Sequence, residues 1–212
     1  EDKDPYKREV SWGTSIKLYE YASTGFRTMM FRKDGLLSRL DILLPEIALP
    51  IRLHECRDYK GHPGSFETTL SGLTVRLEDN KAENLEDGFP TIGQFMAQGE
   101  PMDSRIYAFR QDKAGTYKKN EGLIFTGNGQ THGHLPLSFF GRKTVGMGRL
   151  DDSILVVVDC SNLSGRARED LFMNSRDRLR RGDLRVAIER ELEVLVREHP
   201  GLRALKEKRR RE

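Results

Sequence analysis

One apolar run of strand length constrains the fold of this chain more than any other feature. Residues 154–160 read ILVVVDC, a nearly continuous apolar segment rich in β-branched residues. A run without polar alternation is typical of a strand that is covered on both faces of its sheet. Residues 184–195 then carry apolar side chains at helical spacing, with Asp183 as the expected N-cap and Pro200 as the expected stop. We therefore expect a central strand followed by a helix that packs on its sheet.

The rest of the chain predicts several short strands and few helices. Leucines at helical spacing predict a helix from Leu36 that ends near Pro45. Strands are predicted in LPIRLHECR from Leu49, in LSGLTVRLED from Leu70, and in the segments GTSIKLYEY, SRIYAFRQD and GLIFTGNGQTHG. Residues 79–88 are interpreted as an exposed loop and ALKEKRRRE as a solvated basic end. Mixed strands with few helices predict an α+β fold.

Composition excludes a membrane-spanning protein and a disulfide-stabilised one. No apolar run approaches the ~20 residues that a spanning helix needs. Two cysteines far apart in the sequence, Cys56 and Cys160, fit a reducing compartment, so we expect a cytoplasmic protein. The first residues contain neither an initiator Met nor a signal peptide, and we expect the chain to be a segment of something longer.

The net charge of +3 is unevenly distributed. Residues 164–212 hold 15 Lys plus Arg against 10 Asp plus Glu, a net charge of +5, and the first 163 residues carry −2. An anionic partner is therefore expected first at the C-terminal quarter.

The strongest chemical candidate is a basic loop between the apolar strand and the amphipathic helix. It includes four arginines in six residues, and its candidate residues are Asn174, Ser175, Arg176, Arg178, Arg180 and Arg181. The planar fork of donors in arginine suits phosphate oxygens, and a nearby helix N-terminus adds positive potential. The alternative is a solvated loop in which Glu169, Asp170 and Asp177 neutralise the arginines.

A second candidate is GNGQTHGHLP, residues 127–136. Its glycine-rich start could cradle an anion with backbone N–H groups, or Asn128 and Gly129 could form an ordinary hairpin turn. It matches neither a P-loop nor a dinucleotide-binding fingerprint. His132 and His134 lack a third ligand, so no metal site is expected, and no pair of carboxylates suited to hydrolysis stands out.

The order of these C-terminal segments resembles the transducer domain of GHKL ATPases, the superfamily of gyrase B, type II topoisomerases and MutL. GNGQTHGHLPLSFFGRKT is similar to the segment where a Gly-Thr-His strand leads into a long helix, and SILVVVDC is similar to the strand that follows. NSRDRLRRGDLRVAIERELEVLV is similar to the Gln-Thr-Lys loop and its helix. In that comparison Asn174 and Ser175 replace the Gln and Thr, and Arg176 replaces the Lys that reaches the γ-phosphate of ATP. Arg178 falls on the second basic position.

The upstream half fits the same resemblance. GTSIKLYEY resembles the closing strand of a GHKL nucleotide-binding domain, and LLSRLDILLPEIALPIRLHECR resembles the start of the transducer. The resemblance implies that residues 1–35 close an upstream nucleotide domain. It implies that residues 36–212 form a transducer of ribosomal-protein-like βαβ fold, with a mixed sheet and a packed C-terminal helix.

The resemblance also implies that ATP and Mg are bound mainly by the upstream domain of the same chain, and that the protein forms a homodimer. The N-box Glu and Asn and the Asp-x-Gly-x-Gly motif of the nucleotide pocket are absent from this sequence. We therefore expect no ATP hydrolysis by these residues alone. We expect the relatives of this chain among bacterial GHKL proteins of unassigned role, including candidate phage-defence ATPases.

Two other functions stay open. The chain could be a nucleic-acid-binding module, with DNA phosphates contacted by Arg142, Lys143, Arg180, Arg181, Lys208, Arg209 and Arg210. It could instead be a structural interaction domain whose arginines form surface ion pairs.

Overall fold

The computed structural model describes residues 35–47, 49, 51–55, 66–115, 117–118, 120–175 and 178–211. The helices in this part of the chain are α1 (Leu36–Leu43), α2 (Leu73–Asp79), α3 (Lys81–Asn84), α4 (Gly165–Leu171), α5 (Asp183–Glu198) and α6 (Pro200–Arg211). The strands are β1 (Ile51–Glu55), β2 (Phe66–Leu70), β3 (Thr91–Ala97), β4 (Glu100–Ala108), β5 (Glu121–Gly127), β6 (Gln130–Pro136) and β7 (Ile154–Asp159). The predicted strand GTSIKLYEY and Arg176 lie outside the described residues.

Five strands form a mixed sheet in the order β3-β4-β7-β5-β6. All neighbours are antiparallel except β5 and β7, which are parallel. β7 is the central strand, and Ile154 to Val158 are each at most 5% exposed. The apolar run is buried on both faces, so the prediction of a central strand is confirmed.

Two layers cover the sheet. Arg105 on β4 forms ion pairs with Glu46 and Glu78, which lie in the α1–α2 region. Thr91 on β3 points to the opposite face, where its hydroxyl lies 2.8 Å from Nε2 of His199 between α5 and α6. Because side chains alternate between the faces of a strand, α1 and α2 lie on one side of the sheet and α5 and α6 on the other.

The amphipathic helix is confirmed, but its N-cap is Gly182, and the predicted cap Asp183 is the first helical residue. The chain beyond it is also helical. α5 buries Leu184, Ile188, Leu192 and Val196 and ends at Glu198. The expected solvated end is instead α6, which buries Leu202 and Leu205. The many charged residues around the two leucines led to the wrong interpretation. The leucines are three residues apart and therefore lie on one face of the helix. Pro200 begins α6, since proline is well tolerated in a first helical turn.

The second predicted strand of the N-terminal part is wrong in its position. The strand that pairs with β1 is β2, which ends at Leu70, where the predicted strand was expected to begin. Most of the predicted strand is instead α2, Leu73–Asp79. Leu73 and Leu77 are four residues apart and fully buried, which is a helical period and not a strand period. The region expected to be a loop at 79–88 contains α3 and the buried Leu85.

The α+β class, the mixed sheet and the packed C-terminal helix are thus confirmed. Within the described ranges, no helix is long and apolar enough to cross a membrane.

Candidate functional site

The basic loop leaves α4 and returns to α5 through a narrow, hydrogen-bonded base. The backbone N–H of Arg180 donates to the carbonyl of Leu171 at 2.8 Å, and that of Met173 donates to the carbonyl of Arg178 at 3.3 Å. Phe172 and Leu179 form a β-bridge at the same place. These contacts fix both ends of the loop.

The loop and the residues that flank it include those that the sequence singled out. Asn174 and Ser175 form a turn and are exposed, and Arg178, Arg180 and Arg181 are exposed as well. Arg176 and Asp177 lie outside the described residues, so the expected contact of Arg176 with phosphate stays a prediction. The base of the loop therefore places at least three exposed guanidinium groups on one short segment.

The loop base rests on the glycine-rich hairpin, which joins the two candidate motifs in one site. A Cβ atom on Gly133 of β6 would lie 2.8 Å from Cδ2 of Leu179 and 3.1 Å from its backbone nitrogen. At the preceding residue of β6, the centre of the His132 ring lies 5.1 Å from the centre of the Phe172 ring. Leu179 is 5% exposed, so it is held between the strand and the core. Only a residue without a side chain leaves room for this approach.

The segment GLIFTGNGQTHG was predicted as one strand, but a turn at Asn128 and Gly129 divides it into β5 and β6. Of the two alternatives that the sequence left open for residues 127–136, the structure has the hairpin turn. Asn128 and Gly129 both have positive φ, 52° and 77°, as a two-residue turn of the type favoured between antiparallel strands requires. The backbone N–H of Asn128 donates to Oγ of Ser161 at 2.9 Å, and the Ser161 hydroxyl donates to Oδ1 of Asp159 at 2.5 Å. The Asn128 N–H therefore has a partner within the protein and does not point to an open anion cradle.

A cavity of about 260 Å³ lies between this hairpin and α4. It is lined by Gly127, Asn128, Gln130, His132, Arg168 and Phe172. The guanidinium of Arg168, one of the lining groups, is held in place by donating to the carbonyls of Ser161 at 3.0 Å and Leu163 at 3.4 Å. The cavity lies beside the loop base, because Phe172 belongs to both.

The far side of the hairpin tip contacts the segment after α1. The backbone N–H of Glu46 donates to the carbonyl of Gly129 at 3.3 Å, and a Cβ on Gly129 would lie 2.2 Å from the Glu46 carbonyl oxygen. The Thr131 hydroxyl donates to the carbonyl of Ile42 at 2.6 Å. The hairpin thus lies between the basic loop on one side and the N-terminal part of the described chain on the other.

The basic residues proposed for nucleic-acid binding differ in their surroundings. Arg142 forms ion pairs with Glu189 at 2.8 Å and Glu193 at 2.9 Å and lies 4.7 Å above the centre of the Phe139 ring. Arg142 is therefore largely neutralised within the fold. Lys143 is exposed, as are Arg180 and Arg181.

The tail arginines and lysines divide in the same way. The Arg209 side chain is only 10% exposed and donates to Glu86 at 2.9 Å, the Phe109 carbonyl at 2.7 Å and the Ser153 hydroxyl at 2.6 Å. Lys208 and Arg210 remain 60% and 67% exposed, with carboxylates 3.5 and 3.9 Å away. Arg209 acts as an internal anchor of α6, and the binding of nucleic acid by the exposed members stays a prediction.

Sequence reasoning missed a buried lysine away from the loop. Lys118 is 4% exposed, and its ammonium group donates to the carbonyl of Asp151 at 2.7 Å and to that of Ile154. Burial lowers the pKa of Lys118 to about 7, and the nearby carboxylates of Asp152, Asp151 and Glu121 oppose that shift. No local pattern marks it, because the carbonyls that it binds come from the start of β7 and the turn before it. It ties the start of β5 to β7 rather than lining the loop.

Comparison with known proteins gives a distant structural similarity. No family model matches the chain, and no curated protein matches it. The crystal structure of the B subunit of DNA gyrase from Myxococcus xanthus is similar over 66% of this chain, with 16% sequence identity and a TM-score of 0.39. The match covers 50% of that gyrase chain.

Proposed function

We propose that this chain is the transducer part of a GHKL-type ATPase. The basic loop would contact the γ-phosphate of ATP that is held, with Mg, by an upstream domain of the same protein. The observation that carries the proposal is the loop base, where the Leu171–Arg180 and Met173–Arg178 backbone bonds fix both ends of a short arginine-rich loop. The resemblance of residues 174–178 to the Gln-Thr-Lys loop assigns the reaching side chain to Arg176.

The side chains of the loop suit a terminal phosphate. Guanidinium groups stay charged when partly dehydrated and donate two parallel hydrogen bonds to phosphate oxygens. Asn174 and Ser175 add an amide and a hydroxyl, which are neutral donors for the same oxygens. The contact requires no proton transfer by the loop, so its role is to bind and to orient.

Such a contact would couple nucleotide state to domain position. A γ-phosphate that is present binds the loop and favours one arrangement of the two domains, and its loss removes that differential contact. The loop base is seated on Gly133, and the same hairpin contacts Glu46. A shift of the loop would thus act on β6 and on the segment that follows α1, which is the side from which the upstream domain would enter.

The test uses the natural protein that includes the upstream domain. We expect Arg176→Ala to lower kcat for ATP hydrolysis at least tenfold while the affinity for ATP, measured by equilibrium binding, changes less than threefold. Arg176→Lys should recover part of kcat, because it restores the positive charge but not the planar fork.

The matched control is Arg166→Ala on α4. The Arg166 side chain is 95% exposed and pairs with Asp170 in the following turn at 3.9 Å. The control removes the same charge from the same region without touching the loop, so kcat should stay at the wild-type value. Wild-type turnover in Arg176→Ala, or an equal loss in Arg166→Ala, would contradict the assignment.

A further inference from the structure

β3 forms one edge of the five-stranded sheet, and in the described part of the chain it pairs only with β4. Its sequence, TIGQFMA, has no charged residue and no proline. Edge strands of monomeric proteins usually carry Lys, Pro or a bulge, because an unprotected edge pairs with other strands. None of these protective features occurs within β3.

The hairpin geometry shows which backbone groups face the open edge. Gln98 and Gly99 form a two-residue turn with φ of 52° and 82°, and the flanking pair, Ala97 and Glu100, is the hydrogen-bonded pair of such a hairpin. Pairs alternate along an antiparallel ladder between those that exchange backbone bonds and those that do not. The residues whose N–H and C=O groups point away from β4 are therefore Ile92, Gln94 and Met96.

The same three residues carry the exposed side chains of the strand. Ile92 is 75% exposed and Met96 is 60% exposed, which makes them two of the most exposed large apolar residues described. Between them, the Gln94 amide donates to Oδ1 of Asp103 at 2.6 Å. An apolar pair on an uncharged edge indicates a surface for another strand.

We propose that β3 pairs antiparallel with β3 of a second copy of this chain, about a two-fold axis at Gln94. In that register Ile92 lies opposite Met96 of the second copy, and Met96 lies opposite its Ile92. On the other face Phe95 lies opposite Gly93 of the second copy. Each exposed apolar side chain thus meets another one, and each glycine is covered by an aromatic ring.

The occupant is a second copy because the strand is complementary to itself. A two-fold interface brings the same patch of both subunits together, so it requires a pattern that matches its own reverse. The absence of charge in β3 means that no like charges meet in any pair. A single strand pair buries less than the ~1,000 Å² expected of a permanent interface, so the dimer should depend on protein concentration.

Cysteine crosslinking tests the register in the 212-residue chain, with Cys56→Ser and Cys160→Ala as the background. Gln94→Cys should form a disulfide-linked dimer on mild oxidation, because residues opposite each other at the axis are about 5.5 Å apart between Cα atoms. Met96→Cys alone should not, since each Met96 lies opposite Ile92. A mixture of Ile92→Cys and Met96→Cys chains should crosslink to each other. Failure of Gln94→Cys to crosslink, or equal crosslinking by Met96→Cys alone, would overturn the proposal.

Sedimentation equilibrium provides a second measurement that needs no cysteine. The double substitution Ile92→Lys and Met96→Lys places lysines opposite lysines, and we expect the dimer Kd to rise at least tenfold. Mixing this variant with one carrying Ile92→Glu and Met96→Glu should restore association. The control pair Val186→Lys and Val194→Lys changes exposed valines of α5, 48% and 44% exposed, and should leave Kd unchanged. A wild-type chain that stays monomeric up to millimolar concentration, or a lysine variant that associates like wild type, would refute the interface.

Discussion

The contact between Gly133 and Leu179 gives a sharp quantitative prediction, because it joins β6 to the base of the basic loop. Gly133→Ala adds a Cβ at 2.8 Å from Cδ2 of Leu179 and 3.1 Å from its backbone nitrogen. Overpacking of this kind costs about 1–3 kcal/mol, and replacement of a strand glycine by alanine returns about 0.5–1 kcal/mol. We expect a net loss of about 1–2 kcal/mol in the free energy of unfolding.

A double-mutant cycle with Leu179→Ala tests whether the contact with Leu179 causes the loss of stability in Gly133→Ala. Leu179→Ala alone should cost about 2–4 kcal/mol, since Leu179 is 5% exposed and its loss leaves a cavity. In the double variant the methyl group added at position 133 occupies space that the Leu179 side chain leaves, so the combined cost should be lower than the sum by about 1 kcal/mol. The remaining penalty comes from the backbone nitrogen at position 179, which the second substitution does not move.

Urea unfolding measures the cycle, with the midpoint and the m value fitted for all four proteins. Gly165→Ala is the matched control, because a Cβ at Gly165 has no neighbour within 4 Å, and it should not destabilise the protein. Strict additivity of Gly133→Ala and Leu179→Ala with unchanged m would refute the packing argument. A loss in Gly165→Ala as large as that in Gly133→Ala would refute it as well.

Three further predictions concern buried charges. Burial lowers the pKa of Lys118 to about 7 from 10.5, so the unfolded chain binds more protons between these values. The free energy of unfolding should therefore rise with pH above 7 by up to about 1.4 kcal/mol per pH unit, and urea titrations of Lys118→Met should lack that slope. Burial also lowers the pKa of His199 from 6.5, and its Nδ1 accepts a bond from the Leu202 N–H. Stability should accordingly fall as pH drops below about 6.5, and thermal melts of His199→Gln should show a flatter profile. Arg209→Ala should cost about 3 kcal/mol in urea unfolding, because it leaves buried acceptors unpaired, whereas Arg211→Ala on the exposed end should change stability by less than about 0.5 kcal/mol.

The parts of the fold that the sequence predicted are those whose signal is local. β7 is apolar along its whole length, and the Asn128–Gly129 turn requires positive φ that few residue types adopt. α2 and β2 were misassigned because they are only seven and five residues long, which is too short for a clear hydrophobic period. In α6 the burial of two leucines depends on the surface that the sheet and α5 present to it. That surface is a tertiary feature which no window of the sequence contains.

The candidate site shows the same division between local and tertiary information. The arginine-rich loop stood out because its charge is concentrated in a few consecutive residues. Its seat on Gly133 and the cavity beside Arg168 could not be predicted, since these residues are far from the loop along the chain or carry no distinctive pattern. A glycine inside a strand was the one available signal, because it often marks the close approach of another segment.

The fold also determines where the positive charge of the C-terminal quarter can act. Arg185 is paired with Glu189 at 2.7 Å and Arg203 with Glu198, while Arg209 is anchored against Glu86. Charges paired at such distances contribute little field beyond their carboxylates. Part of the charge of α6 thereby attaches this helix to the core. The exposed arginines Arg178, Arg180 and Arg181 lie instead at the hydrogen-bonded base of the loop and directly after it. We therefore expect an anionic ligand to bind first near these exposed arginines, because the backbone that carries them is held by its bonds to Leu171 and Met173.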